Sequence, residues 1–224
     1  MFPLRDTQRS YSKPIVTGFI IALNLLVFLF EFSLDESSRN AFIGTFGFTP
    51  DHFVLTNIFT AMFVHAGWMH VLGNMWFLWI FGDNIEDILG HGKYLVFYLV
   101  CGVAAAMGQF LIDPYSRIPM VGASGAIAGV MGAYMIKFPR SRILTFAFIF
   151  FFIYTFEVPA WLMLVYWFGV QLLSGVGSVT TAQATHGGTA FFAHVGGFIA
   201  GIVLVKLMGT RERYTPSPYY WPPR

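Results

Sequence analysis

The chain has 224 residues, of which 56% are hydrophobic and 11% charged, and its mean hydropathy is +0.65. This composition excludes an ordinary soluble domain and indicates a polytopic membrane protein. The net charge of +2 is too small to indicate a nucleic-acid partner, and the single cysteine, Cys101, excludes disulfides and cysteine-rich metal sites.

The N-terminal residues 1–13 carry Arg5, Arg9 and Lys13 ahead of an apolar run that ends near Phe32. Signal peptides begin in the same way, but this run is longer than their apolar core and no small-residue cleavage motif follows it. We therefore predict a cytoplasmic segment, 1–13, followed by a membrane span that is retained.

Six apolar segments are long enough to cross a bilayer, for which roughly 20 residues are needed. They are residues 14–33, 66–85, 93–112, 123–138, 158–176 and 190–208. The fold class we predict is therefore an all-α membrane protein, a bundle of six transmembrane helices that occupies residues 14–208.

Two further segments do not fit a simple span. Residues 143–173 are too long for one span and too short for two crossings joined by a turn, and Glu157 and Pro159 interrupt them. We predict that 143–156 is an interfacial or re-entrant piece that does not cross. The tail, residues 209–224, is rich in proline and aromatic residues, so a continuing helix is excluded there.

The basic residues fall mainly on one side of the six predicted spans. An even number of spans places both termini on the same side, and only Arg39 and Arg117 lie on the other. Loops rich in Lys and Arg face the cytoplasm, so we expect both termini there, in a multi-pass protein of a prokaryotic plasma membrane. The first side holds Arg5, Arg9, Lys13, Lys93, Lys137, Arg140, Arg142, Lys206, Arg211, Arg213 and Arg224.

Four polar side chains fall near the outer ends of the second, fourth and sixth spans, which all run inward. His70 and Asn74 are i and i+4 on the second span, so they share a face; Ser124 opens the fourth and His194 the sixth. Both of the latter spans carry small residues that allow close helix packing, namely Gly125 and Gly129 on the fourth and Gly197 and Gly201 on the sixth.

These residue types suit acyl transfer. A serine hydroxyl needs a base to become nucleophilic, and His194 can take the proton of Ser124. His70 and Asn74 can donate hydrogen bonds to the oxyanion that then develops. No carboxylate falls at this depth, so we expect a catalytic dyad of Ser124 and His194.

Structural roles are the alternative. A serine in a membrane helix commonly bonds to a carbonyl one turn away, and an intramembrane His or Asn can simply join two helices. For His65, just before the second span, a loop or helix-entry role is favoured over chemistry. A zinc site on His70 and His194 would lack a third ligand, so we predict neither metal nor cofactor.

The motifs HVLGN from His70, GASG around Ser124 and AHVGG around His194 together resemble the rhomboid family of intramembrane serine proteases, from about Pro14 to Met208. The resemblance implies a nucleophilic Ser124, a basic His194, and oxyanion binding by His70 and Asn74.

It also implies a six-helix bundle in the lipid bilayer whose substrates span the membrane themselves. Family members often carry a tyrosine one turn after the serine, packed on the histidine, where this chain has Ala128. We expect Phe191, Phe192 or close helix packing to hold His194 instead. The alternative function is a non-catalytic pseudoprotease that binds membrane clients.

Overall fold

The computed structural model describes residues 2–149, 152–180 and 190–211. Within these ranges the chain forms eight helices and three strands. In chain order they are β1 (Phe2–Asp6), α1 (Ile15–Ser33), α2 (Glu36–Phe46), α3 (Asn57–Thr60), α4 (Trp68–Leu89), α5 (His91–Ile112), α6 (Ser124–Lys137), β2 (Arg142–Ile149), β3 (Phe152–Pro159), α7 (Ala160–Thr180) and α8 (Phe191–Leu207).

Each of the six predicted spans overlaps one helix, in chain order α1, α4, α5, α6, α7 and α8. By length and apolar composition, α1 and α5 could each cross a membrane, while Ala160–Val176 within α7 and the whole of α8 are shorter apolar helices. The two helices α2 and α3, between the first two predicted spans, were not predicted. The tail from residue 212 onward lies outside the described residues, so its predicted character is untested.

The helix ends follow from local chemistry. The Glu86 carboxylate of α4 accepts hydrogen bonds from the backbone N–H groups of Val16 and Thr17, which satisfies donors that an isolated helix leaves open at its start. Asp35 caps α2 in the same manner through its own side chain. Gly90 separates α4 from α5 with φ of 78°, a conformation that glycine adopts without strain.

The mostly helical fold agrees with the predicted all-α class, and a three-stranded antiparallel sheet in the order β1-β2-β3, which the sequence did not predict, is added to it. Strands β2 and β3 form a hairpin whose ends pair Arg142 with Pro159, so α6 ends and α7 begins at the same place. The backbone N–H of Ala160 donates to the carbonyl of Ser141 there, at 2.7 Å. A segment that returns to its starting point has the geometry required of an interfacial or re-entrant piece.

The N-terminal segment, predicted only as a cytoplasmic extension, packs along α4. The backbone N–H groups of Tyr11 and Ser12 donate to Asp87 near the end of α4, and the indole of Trp76 donates to the carbonyl of Pro3, at 2.7 Å. Between Trp76 and Asp87 the helix rises about 16 Å. The N-terminal segment therefore lies along about half the length of α4.

Asp6 joins this segment to the helices. Its carboxylate accepts hydrogen bonds from the Tyr134 hydroxyl of α6 and the Asn84 amide of α4. Burial raises the pKa of Asp6 to about 7.

Helices α6 and α8 pack with their backbones in direct contact. A Cβ atom at Gly197 would overlap the carbonyl oxygen of Gly125, and one at Gly201 would overlap that of Gly129. Backbone therefore lies against backbone, as small residues allow in membrane helices. Ala128, on the same helix as Gly125, is fully buried.

Candidate active site

Ser124 and His194 meet at the N-terminal ends of α6 and α8. His194 Nε2 lies 2.7 Å from Ser124 Oγ, within hydrogen-bond distance. Because Ser124 is the first residue of α6, the backbone N–H groups of that first turn have no partner within the helix. The pair thus sits beside donors that could bind a developing negative charge.

His70 and Asn74 reach this place from the first turns of α4. They face Gly122, two residues before the serine: a Cβ atom built at Gly122 would lie 2.6 Å from His70 Nε2 and 3.3 Å from Asn74 Nδ2. Gly122 also has φ of 112°, which L side chains rarely adopt. Only glycine at this position lets the two side chains approach the backbone that leads into Ser124.

His65 holds Asn74, a function that the sequence did not reveal. Its Nδ1 lies 3.3 Å from the carbonyl of Phe63, which can only accept, so Nδ1 carries the proton and Nε2 accepts from the Asn74 amide at 2.9 Å. Burial lowers the pKa of His65 to about 3, which keeps the ring neutral. In turn, Glu31 of α1 accepts from the backbone N–H of His65 at 3.1 Å.

Two residues of α7 contact His194, and neither was predicted. Gln171 Oε1 lies 2.7 Å from His194 Nδ1, and the Trp167 ring packs against the imidazole with 5.7 Å between centroids. The expectation that Phe191, Phe192 or close helix packing holds His194 did not include these two contacts; Phe191 and Phe192 lie against Gly175 of α7. A lone amide within the apolar run of α7 was the signal that could have identified Gln171.

The four predicted polar residues line one cavity of about 700 Å³, together with apolar side chains from the loop before α6. His194 and Asn74 are buried, while Ser124 and His70 are partly exposed to this space. Among the described residues, no group of three or more His, Cys, Asp or Glu side chains could hold a metal ion. The polar sequence of residues 178–189 also predicts a loop that covers this cavity, and its residues 181–189 lie outside the described part of the chain.

The sequence matches the family model described as "Rhomboid domain" over residues 52–211. "Presenilin-associated rhomboid-like protein, mitochondrial" of Homo sapiens is 32% identical over 206 residues, which cover 89% of this chain and 48% of the relative. "Rhomboid protease GluP" of Bacillus subtilis (strain 168) is 31% identical over 125 residues, 54% of this chain and 24% of the relative. "Putative rhomboid protease YdcA" of the same organism is 32% identical over 126 residues, 54% of this chain and 61% of the relative.

The chain spans less than two thirds of the length of each of these relatives. Two of them are named as proteases and one as rhomboid-like, so the names alone do not assign an activity to this chain. The family match covers more than half of the chain and includes the whole candidate site. This match and the mostly helical fold show that the chain is an integral membrane protein that belongs to the rhomboid family.

Proposed function

We propose that this protein is an intramembrane serine endopeptidase that cleaves single-span membrane proteins near the outer membrane face, with Ser124 and His194 as a catalytic dyad. The observation that carries the proposal is the distance of 2.7 Å between His194 Nε2 and Ser124 Oγ inside a cavity that His70 and Asn74 also line. A hydrogen-bonded serine and histidine with nearby donors is the arrangement that acyl transfer requires.

The chemistry runs in two halves. Ser124 Oγ attacks the carbonyl carbon of the scissile bond while its proton passes to His194 Nε2, and the oxyanion accepts hydrogen bonds from Asn74, His70 and the backbone N–H of Ser124. His194 then gives the proton to the leaving amine, which leaves an acyl ester on Ser124. Water, deprotonated by His194, hydrolyses that ester and restores the free serine.

The membrane arrangement is part of the proposal. Six spans with both termini in the cytoplasm place the N-terminal ends of α4, α6 and α8, and hence the cavity, toward the outer face. The distribution of Lys and Arg supports this orientation. The hairpin of β2 and β3 supports an even count, because it returns α7 to the side on which α6 ends. The relatives include bacterial and mitochondrial proteins, and we propose the plasma membrane of a prokaryote.

Cleavage of a fluorescently labelled single-span protein by the purified chain in detergent tests the proposal. The wild type should release a product, and Ser124→Ala and His194→Ala should release none, with Ser124→Ala keeping the wild-type unfolding midpoint. Loss of cleavage follows because either change removes the covalent route, whereas the hydroxyl contributes little to packing. Equal cleavage by Ser124→Ala would contradict the mechanism, and a wild type that binds the substrate without cutting it would identify a pseudoprotease.

A further inference from the structure

Gln171 occupies the position behind the base that a carboxylate fills in a Ser-His-Asp triad. Its Oε1 lies 2.7 Å from His194 Nδ1, on the opposite edge of the ring from Ser124. Trp167 lies one helical turn earlier on α7 and packs against the same imidazole. One face of α7 thus supplies both a polar contact and an apolar contact to His194.

The two hydrogen bonds of His194 determine which nitrogen carries the proton. An amide oxygen can only accept, so Nδ1 must donate to Gln171. In a neutral imidazole the other nitrogen then has a free lone pair, which is what Nε2 needs in order to accept the Ser124 proton. Without an acceptor at Nδ1, the opposite tautomer would place a hydrogen on Nε2 and block that transfer.

Burial strengthens this requirement. His194 is only 7% exposed, so water does not replace a lost partner at Nδ1 without rearrangement. The described residues around the ring offer hydrogen-bond partners at two points, Ser124 at one edge and Gln171 at the other.

We propose that Gln171 is the positioning residue of this site: by accepting a hydrogen bond from His194 Nδ1, it fixes the tautomer and the orientation of the base. This inference rests on the proposed function. The protein is accordingly a dyad enzyme whose histidine is oriented by a neutral amide on α7. Because the amide carries no charge, it orients the ring but stabilises the imidazolium less than a carboxylate would.

Three variants test the proposal in the cleavage assay. Gln171→Leu keeps much of the side-chain volume but removes the acceptor, so kcat should fall about 10- to 100-fold with little change in KM. Gln171→Glu keeps an acceptor at the same position, so it should retain activity, with the acid limb of its pH profile moved to higher pH because a carboxylate stabilises the imidazolium. Gln109→Leu, the same change within the apolar helix α5, is the matched control and should cleave as the wild type does.

Nitrogen-15 NMR of the histidine side chains shows which ring nitrogen of His194 carries the proton in the wild-type protein itself. The signal that disappears in His194→Asn should report a proton on Nδ1 in the wild type at neutral pH. A proton on Nε2 would overturn the inference, and so would wild-type kcat in Gln171→Leu or a Gln171→Glu variant as inactive as Gln171→Leu. If the wild type itself fails to cleave, the proposed function fails instead, and the NMR result still reports on Gln171.

Discussion

Replacing Gly197 by alanine adds a single methyl group at the point where α8 lies closest to α6. The new Cβ atom would overlap the carbonyl oxygen of Gly125. Non-bonded carbon and oxygen atoms rarely come closer than about 3.3 Å, so α8 has to move outward by roughly 1 Å. His194 is one turn away on the same helix and moves with it.

The displacement acts directly on the hydrogen bond between the base and the nucleophile. The distance between His194 Nε2 and Ser124 Oγ is 2.7 Å in the wild type. After the displacement it would exceed the limit of about 3.2 Å for such a bond. A misplacement of about 1 Å in a catalytic geometry costs on the order of 10²-fold in rate. Overpacking of this kind also destabilises the fold by about 1–3 kcal/mol.

The assay is kcat/KM for a labelled single-span substrate, measured well below the unfolding midpoint of each variant. Gly18→Ala in α1 is the matched control, because nothing lies within 4 Å of a Cβ atom at that position. We expect Gly197→Ala to lose about 10²-fold in kcat/KM and Gly18→Ala to lose nothing. If Gly197→Ala keeps the rate and the midpoint of the wild type, close backbone packing is not what positions His194.

Three further predictions test other parts of the structure. Asn74→Ala should retain measurable cleavage, reduced about 10²- to 10³-fold in kcat, because one of several oxyanion donors is lost; unchanged kcat would exclude this role. In a Cys101→Ala background, single cysteines at Ser141 and Glu157 should both react with an impermeant maleimide from the cytoplasmic side only, and labelling of Glu157→Cys from outside would refute the proposed topology. Burial raises the pKa of Asp6 from 3.8 to about 7, so the folded state favours the protonated carboxyl. The unfolding midpoint should therefore fall as the pH rises from 3.8 through about 7. Asp6→Asn should flatten that slope, and an equal slope in both proteins would argue against a buried carboxyl.

The helices and the meeting of Ser124 with His194 could be predicted from sequence because both depend on local patterns. An apolar run of sufficient length specifies a helix in lipid, and the common direction predicted for three such runs brings their N-terminal ends together. The spacing of Gly197 and Gly201 indicated close packing without any knowledge of the partner helix. The helix assignments and the glycine spacing need only residues that are near one another in the chain.

The sheet could not be predicted in the same way. Strand β1 pairs with β2 across about 140 positions of sequence, with Phe2 opposite Phe146. The residues of β2 and β3 are almost continuously apolar, so they lack the alternation that marks a half-buried strand. An uninterrupted apolar run is equally compatible with a helix, and the pairing that decides between them is non-local.

Gln171 and His65 were missed for a different reason. Gln171 lies on α7, so its depth depends on the position of α7 relative to α6 and α8. His65 precedes α4, and its contact with Asn74 depends on the path of the loop from α3. Sequence identified the residues that would perform the chemistry, whereas the residues that hold them in place are determined by tertiary packing.

The central claim is that Ser124 is a nucleophile activated by His194, and covalent labelling tests it most directly. The purified protein should be treated with a fluorophosphonate, which modifies activated serines, and the adduct located by mass spectrometry of its peptides. We expect one adduct, on Ser124, that disappears in His194→Ala although Ser124 is still present. An unlabelled wild type, an adduct on another serine, or undiminished labelling of His194→Ala would contradict it.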